Sequence, residues 1–353
     1  MSQTPSNQSP SDTNRALVTG GAGFIGSHLV DHLLATGSAV TVIDDLSTGR
    51  RENLPPEHPR LRFIEADCEQ ALRAFGPGER FDEIYHLAAA VGVKRVMDDP
   101  VGSIEINVGQ TAALLRYALD HGTRHAMPRT LIASSSEVYG KSDKQPFSED
   151  DDVVYGPTTV TRWSYACSKA IDEFLALAHA DRSGLPCVVA RFFNTVGPRQ
   201  VGRYGMVLPR FVAAAMRDQP LEVHGDGEQS RCFADVRDVT LALPALLRDP
   251  ACHGRVFNVG SDEPITIADL ARRVIETLSS RSDLTRVPYD RVYPSGFEDL
   301  RQRRPDLTRL RTAIGYEPKI RLEDTIRDLA DWIASGDPAD DQPRTTHQDT
   351  RAS

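Results

Sequence analysis

The chain has 353 residues, of which 40% are hydrophobic and 26% charged, and its formal net charge is −9. This composition is typical of a globular protein, and the length predicts a main domain with a smaller lobe. The acidic balance argues against a nucleic-acid surface as the main function, and no run approaches the roughly 18 apolar residues that a membrane span needs.

The two ends of the chain are polar. Residues 1–14 lack the basic and apolar segments of a signal peptide, so we predict a disordered tail and a cytoplasmic location. Residues 337–353 are predicted to form a second disordered tail. The cysteines at positions 68, 167, 187, 232 and 252 are odd in number and show no C-x-x-C spacing, which argues against a disulfide framework or a zinc site.

Residues 16–28 read A-L-V-T-G-G-A-G-F-I-G-S-H, a pattern that predicts a strand, a tight glycine turn and a helix. The glycines permit the bend and the close approach of a pyrophosphate, whose charge the helix N-terminus favours. A second apolar run ends at Asp44, where a carboxylate is expected to bond a ribose 2′-hydroxyl and to repel a 2′-phosphate. The sequence therefore predicts NAD and not NADP. The alternative is that Asp44 only caps the turn before Ser47.

Further strands are predicted at 61–66, within 81–90 and at 130–133, 187–193 and 256–260, and they alternate with helices at 100–121, 162–180 and 236–247. This order predicts an α/β fold, a Rossmann-type doubly wound parallel sheet with a smaller C-terminal α/β lobe. Ligands of such sheets bind beyond the carboxyl ends of the strands, where Asp44, Asp67, Ala88 and Ser134 fall. Residues 141–161 are polar and are predicted to form a surface loop.

Tyr165 and Lys169 are four residues apart and therefore share one face of their predicted helix. An ammonium near a phenol lowers the pKa of the phenol, so the tyrosine becomes usable as a base near neutral pH. The same spacing also occurs in exposed helix pairs. Its position, after a serine-rich strand end in a chain that opens with a dinucleotide turn, favours catalysis.

Six motifs carry a family resemblance: G-G-A-G-F-I-G at 20–26, D-D-L-S-T-G at 44–49, H-L-A-A at 86–89, S-S-S-E-V-Y-G at 134–140, Y-A-C-S-K at 165–169 and R-F-F-N-T-V-G-P-R at 191–199. The chain resembles the extended short-chain dehydrogenases/reductases that act on nucleotide-linked sugars. The resemblance implies an NAD-binding domain over 15–194 with 236–260 returning to it, and a nucleotide-sugar lobe over 195–235 and 261–336. It also implies a homodimer formed by the 100–121 and 162–180 helices.

The resemblance also implies roles for individual residues. Tyr165 is expected to take the proton of the sugar hydroxyl, Lys169 to bond the nicotinamide ribose and lower the pKa of Tyr165, and Ser135 to hold the hydroxyl. Asp67 resembles the residue that contacts adenine. We assign cofactor contacts to Gly20, Gly23, Phe24, Ile25, Gly26, Asp44, Ser47, Thr48, Gly49, Asp67, Cys68, Leu87, Ala88, Ala89, Asn107, Tyr165 and Lys169. We assign substrate contacts to Asn194, Arg203, Val223, Arg231, Glu298 and Arg303.

The members of this family diverge after oxidation at C4 of the sugar. A 4-epimerase only returns the hydride to the other face of the ketone and needs no further acid or base. A 4,6-dehydratase needs a carboxylate that removes the C5 proton. A decarboxylase uses the fact that a 4-ketouronate is a β-keto acid, which releases carbon dioxide once the ketone has formed.

The run Ser135-Ser136-Glu137 resembles the catalytic run of UDP-glucuronate decarboxylases. The segments 156–165, 230–238 and 297–305 are similar to theirs as well, and the last of these aligns Arg303 with their catalytic arginine. Our hypothesis is therefore NAD-dependent decarboxylation of UDP-glucuronate through a 4-keto intermediate, giving UDP-xylose or the UDP-4-ketopentose. The alternative is a UDP-hexose or UDP-glucuronate 4-epimerase, and a 4,6-dehydratase is less favoured.

Overall fold

A seven-stranded, fully parallel sheet forms the centre of the computed structural model, which describes residues 13–76, 78–90, 98–122, 127–202, 206–292 and 301–336. Its strands are β1 (Arg15–Thr19), β2 (Ala39–Asp44), β3 (Leu61–Glu65), β4 (Glu83–His86), β5 (Arg129–Ser135), β6 (Cys187–Phe192) and β11 (Arg255–Val259). They are arranged in the order β11-β6-β5-β4-β1-β2-β3, with the order reversal beside β1. The predicted Rossmann-type sheet is confirmed.

Shorter strands lie outside this sheet: β7 (Thr195–Val196), β8 (Leu221–His224), β9 (Ser230–Cys232), β10 (Ala234–Asp235), β12 (Pro264–Thr266), β13 (Leu284–Val287) and β14 (Gln302–Arg303). The helices are α1 (Phe24–Ala35), α2 (Cys68–Ala74), α3 (Pro100–Asp120), α4 (Ser164–Ser183), α5 (Val207–Ala215), α6 (Val236–Arg248), α7 (Ile267–Leu278), α8 (Thr308–Ile314) and α9 (Leu322–Ala334). Within the described ranges, none of these helices has the length and apolar character that crossing a membrane requires.

Helices cover both faces of the sheet because successive side chains of a strand point to opposite sides. In β1, Val18 packs in the core that holds α1 and α6, whereas Leu17 packs in the core that holds α2, α3 and α4. A further core joins α5, α7 and α9 through residues such as Phe211 and Leu270. The chain leaves the sheet after β6 and returns through α6 to β11, which pairs with β6.

The segment 141–161 is not simply a surface loop, so that prediction is wrong for its middle part. Phe147 is fully buried, and its ring stacks on Tyr139 with the centroids 4.5 Å apart. The Phe147 N–H donates to the Arg304 carbonyl, and the Asp306 N–H donates to the Phe147 carbonyl, both at 2.8 Å. A buried ring and two backbone hydrogen bonds therefore fasten the residues after Arg303 to the edge of the main sheet.

Glu83 lies at the amino-terminal ends of the strands of the main sheet, where its side chain joins several elements. Its buried carboxylate accepts hydrogen bonds from Asn14, Tyr85 and Arg248 and forms an ion pair with Arg129. Burial acts to raise the pKa of this carboxyl, but Arg248 and the other donors outweigh burial, so the pKa is lowered. The cluster joins β4, β5 and α6 away from the carboxyl ends of the strands.

Candidate active site

A cavity of about 970 Å³ opens at the carboxyl edge of the sheet. Its walls come from the glycine turn after β1, from the ends of β2, β4, β5 and β6, and from α4. The far wall comes from α5 and from residues around β8 and β9, and Arg303 of β14 completes it. A cavity at this position is where an open α/β sheet binds its ligands.

The glycine turn leaves room for a diphosphate. Gly20 has φ +70°, a conformation that favours glycine, and a Cβ on Gly26 would lie 2.1 Å from the Gly20 carbonyl oxygen. Helix α1 begins at Phe24, and its first residues line the cavity together with Gly23. Its first-turn N–H groups and its dipole suit a pyrophosphate, so this part of the site fits NAD.

Asp44 both lines the cavity and fastens the turn. Its carboxylate accepts hydrogen bonds of 2.9 Å from the Ala22 and Leu46 N–H groups. Gly49 passes so close that a Cβ there would lie 2.7 Å from Asp44 Oδ1. Burial raises the pKa of this carboxyl, although the backbone hydrogen bonds oppose burial. The carboxylate lies where the ribose of a bound NAD is expected.

The predicted cofactor residues fall into two groups. Thirteen residues line the cavity: Gly20, Gly23, Phe24, Ile25, Gly26, Asp44, Thr48, Cys68, Leu87, Ala88, Ala89, Tyr165 and Lys169. Ser47, Gly49, Asp67 and Asn107 are not part of that lining. Asp67 caps α2 and accepts a hydrogen bond from Gln110, and Asn107 accepts one from the Ala90 N–H. The Asp67 and Asn107 side chains thus support the walls of the cavity.

Tyr165 and Lys169 both face the cavity from α4. The Lys169 ammonium forms an ion pair with the buried Asp172, with Nζ 2.7 Å from Oδ2. Burial and the nearby Glu137 carboxylate raise the pKa of Tyr165, although a hydrogen bond with Ser135 opposes them. In this structure the lysine charge is paired with Asp172, so the expectation that Lys169 lowers the pKa of Tyr165 stays a prediction.

Glu137 is clamped between two arginines. It lies in the short helical turn Ser136–Tyr139 after β5, where its N–H donates to Ser135 Oγ. Its Oε1 is 2.5 Å from Arg303 Nη2, and its Oε2 is 2.8 Å from Arg162 Nη1. Burial alone would raise the pKa of Glu137, but Arg303 and Arg162 outweigh burial and lower the pKa to about 2. The carboxylate is therefore ionised at neutral pH.

Arg162 is the residue of this cluster that the sequence reasoning missed. It is buried, it lines the cavity, and it lies one helical turn before Tyr165. The resemblance of the segment 156–165 concerns that segment as a whole. The i to i+3 spacing of Arg162 and Tyr165 was the available signal, but this spacing alone does not distinguish a buried arginine from a surface charge.

The predicted substrate residues differ in their placement. Asn194 and Arg231 line the cavity, and the Arg231 guanidinium donates to the Ser230 carbonyl. Alternation along β8 buries the Val223 side chain in the core and turns Glu222 and His224 to the cavity, so the assigned substrate contact of Val223 stays a prediction. Two further predicted residues, Arg203 and Glu298, lie outside the described residues.

The fold is an open α/β sheet of the dinucleotide-binding type, and the glycine turn and the Tyr165–Lys169 pair line one cavity at its carboxyl edge. The chain belongs to the NAD dependent epimerase/dehydratase family, whose model matches residues 16–260. This confirms the predicted family and its cofactor, NAD.

Three similar proteins bear on the reaction. The UDP-N-acetyl-alpha-D-glucosaminuronate decarboxylase of Bacillus cytotoxicus is 38% identical over 323 residues, which are 90% of this chain and 97% of the relative. UDP-glucuronic acid decarboxylase 2 of Arabidopsis thaliana is 35% identical over 87% of this chain and 65% of its own length. The UDP-glucose 4-epimerase of Thermus thermophilus, solved in complex with NAD, has a TM-score of 0.76 and 29% identity over 91% of this chain and 99% of that one.

Proposed function

We propose that the protein decarboxylates UDP-glucuronate through a 4-keto intermediate. The observation that carries this proposal is the Arg162–Glu137–Arg303 cluster, which faces the same cavity as Ser135 and Tyr165. A simple 4-epimerase needs only the proton transfer at Tyr165 and has no use for such a cluster. The decarboxylase names of two relatives similar over most of this chain support the same reaction.

Tyr165 and Ser135 handle the proton of the C4 hydroxyl. NAD, when bound, supplies the acceptor for the C4 hydride and later its donor. Tyr165 takes the hydroxyl proton as the ketone forms and returns it when the alcohol is restored. Ser135 lines the cavity beside Tyr165 and acts to lower the pKa of the phenol, which supports a shared role at the C4 hydroxyl.

The arginine cluster acts on the carboxylate. Two guanidinium groups and one carboxylate leave one net positive charge in a buried site, which suits a uronate better than a neutral hexose. The bond between C5 and the carboxyl carbon breaks, its electron pair moves to the C4 ketone, and carbon dioxide leaves. The enolate then takes a proton at C5 from a water molecule, which leaves as hydroxide and is neutralised by the solvent. We expect Arg303 to release the Glu137 carboxylate and to bind the carboxylate of the substrate in its place.

UDP-N-acetylglucosaminuronate is a second candidate substrate. The identity of 38% to the decarboxylase named for that sugar is higher than the 35% to the plant UDP-glucuronic acid decarboxylase. Both sugars carry the C4 hydroxyl and the C5 carboxylate on which the proposed residues act. They differ only at C2, so the same catalytic groups serve either one.

The test incubates the purified protein with catalytic NAD and each of the two uronates in turn. Carbon dioxide and the sugar product are followed by mass spectrometry and NMR. Release of carbon dioxide with a pentose product supports the proposal, and the ratio of kcat/KM values identifies the substrate. Conversion to the C4 epimer with unchanged mass would replace the decarboxylase with the epimerase. If the protein converts UDP-glucose and neither uronate, the proposed role of the Arg162–Glu137–Arg303 cluster is wrong.

We further propose a homodimer in the cytoplasm. Helices α3 and α4 pack side by side and expose Val101, Ile104, Ile171 and Phe174, the last with 73% of its surface accessible. Large apolar side chains on two adjacent helices are suited to a helical interface with a second copy. The cytoplasm supplies both NAD and nucleotide sugars, and cell fractionation tests the location.

A further inference from the structure

A series of buried polar side chains lies behind the Tyr165–Lys169 pair. Asp172, which is completely buried, holds the Lys169 ammonium with Nζ 2.7 Å from Oδ2. The Thr111 hydroxyl of α3 lies near this carboxylate and acts to lower its pKa. His86, at the end of β4, has its Nε2 3.1 Å from Thr111 Oγ1 and its Nδ1 2.7 Å from Thr19 Oγ1.

The groups at the two ends of this series indicate the direction of its hydrogen bonds. Thr19 Oγ1 accepts the N–H of Ala88, so its own proton is available for His86 Nδ1. Burial and the nearby Lys169 lower the pKa of His86 to about 3, so the ring is neutral and carries a single N–H. We assign that N–H to Nε2, from which it donates to Thr111. The Thr111 proton is then left for Asp172, whose Oδ1 has no hydrogen-bond partner in the part of the chain that the structure describes. Every donor in the series therefore leads towards the Asp172 carboxylate.

We propose that Asp172 is a positioning residue of the Tyr165–Lys169 pair: it holds the lysine ammonium in place, and Thr19, His86 and Thr111 hold Asp172. The inference rests on the proposed function, in which Tyr165 is the base. It goes further because it assigns a role to the carboxylate with which the lysine charge is paired. The carboxylate is three residues from Lys169 on the same helix, and both groups are buried.

This arrangement has a consequence for the pH range of the reaction. The groups that face the pair are Glu137 from the turn after β5, Asp172 from α4 itself and His86 from β4. After burial, the Glu137 and Asp172 carboxylates both act to raise the pKa of Tyr165, and His86 is neutral. Removing the Asp172 charge favours the phenolate directly and also releases the Lys169 ammonium. Both effects lower the pKa of Tyr165, so the acid limb of the activity moves to lower pH.

The test is the Asp172→Asn variant, which keeps the shape of the side chain and removes its charge. Protein labelled with ¹³Cζ-tyrosine is titrated by NMR, and the Tyr165 signal is assigned by its absence in Tyr165→Phe. We expect the Tyr165 midpoint to fall by about one pH unit in Asp172→Asn. An unchanged midpoint in the folded variant overturns the proposal.

The matched control is Glu173→Gln, because Glu173 is the next carboxylate on α4 and pairs with Arg191 at 2.7 Å. We expect this variant to lower the melting temperature and to leave the Tyr165 midpoint within a few tenths of a unit. A shift equal to that of Asp172→Asn would reduce Asp172 to a structural role. The titration needs no substrate, so a failure of uronate turnover is distinguishable from a failure of this inference.

A second measurement uses the wild-type protein and does not depend on the folding of a variant. Histidine ¹⁵N spectra report the tautomer of each ring, and His86 is assigned by substitution. We expect the Nε2–H tautomer of His86 to persist without protonation down to about pH 4. The Nδ1–H tautomer would direct the series away from Asp172 and overturn its proposed support.

Discussion

Arg303 Nη2 lies 2.5 Å from Glu137 Oε1, although the two residues are 166 positions apart in the chain. Glu137 follows β5 of the main sheet, whereas Arg303 is in β14, which pairs with Arg231 of β9. The cavity therefore has a carboxylate from one part of the chain and its guanidinium from another.

Glu137→Gln removes the charge of the clamped carboxylate and keeps its size. We expect the rate of carbon dioxide release to fall by about a hundredfold or more, because the carboxylate that holds Arg162 and Arg303 in position for the substrate is lost. NAD binding, followed by calorimetry, should remain close to that of the wild type. A variant with wild-type kcat would make Glu137 a structural residue.

Arg162→Gln is expected to move the acid limb of the pH profile upwards. Arg162 helps to keep the pKa of Glu137 near 2, so loss of its charge raises that pKa. Activity that needs the ionised carboxylate is then lost at a higher pH as the solution is acidified. Arg162→Lys keeps the charge and should keep the acid limb closer to that of the wild type. The measurement is kcat/KM across the acid and neutral range, and identical profiles for both variants would contradict the prediction.

Tyr165→Phe removes the proposed base. We expect kcat to fall by about a thousandfold, while the affinity for NAD stays within a few-fold of the wild type. Tyr155→Phe is the matched control, because its hydroxyl donates to the Ala166 carbonyl beside the same helix and does not line the cavity. Comparable losses in both variants would show that the phenol of Tyr165 has no special role.

Asp44→Ser is expected to weaken NAD binding about tenfold and to narrow the preference over NADP. The carboxylate that repels a 2′-phosphate is lost, together with its hydrogen bonds to the Ala22 and Leu46 N–H groups. Asp45→Ser is the control, since that neighbouring carboxylate is exposed and accepts the Ser47 N–H. Titration calorimetry with both dinucleotides measures the ratio, and an unchanged ratio contradicts the role of Asp44.

Phe174→Glu is expected to convert the proposed dimer to a monomer. A charge at an apolar contact on α4 cannot be desolvated without a partner, so association weakens. Leu241→Glu is the control, because this residue of α6 is 53% exposed and lies on a different helix. Light scattering coupled to size exclusion gives the mass of each variant. A wild-type monomer removes the dimer proposal altogether.

The sequence was most informative where local chemistry determines local structure. The glycines at 20, 23 and 26 predicted the turn because only a residue without a side chain fits Gly20 and Gly26. The alternation of apolar runs and helices predicted the parallel sheet and its helical layers, because the spacing of apolar residues within a segment indicates its local structure. Tyr165 and Lys169 were found through their helical spacing.

The contacts that the sequence could not supply are those between distant segments. Nothing local shows that Phe147 is buried against Tyr139, or that Asp172 captures the lysine charge expected at Tyr165. Arg162 was missed because a buried arginine and an exposed one have the same sequence pattern until their partners are known. The burial of the Val223 side chain could not be predicted either, because the face that a short strand turns to the core depends on its register against neighbours.

The Glu83 cluster stabilises the sheet at the edge that lies opposite the cavity. It secures β4, β5 and α6 at the amino edge, far from the cavity. Residues at the carboxyl edge could therefore be substituted so that the cavity accepts other sugars, while the contacts of Glu83 with β4, β5 and α6 stay unchanged. Natural divergence within such a scaffold has the same freedom, because substitutions that alter chemistry and substitutions that alter folding fall at opposite ends of the same strands.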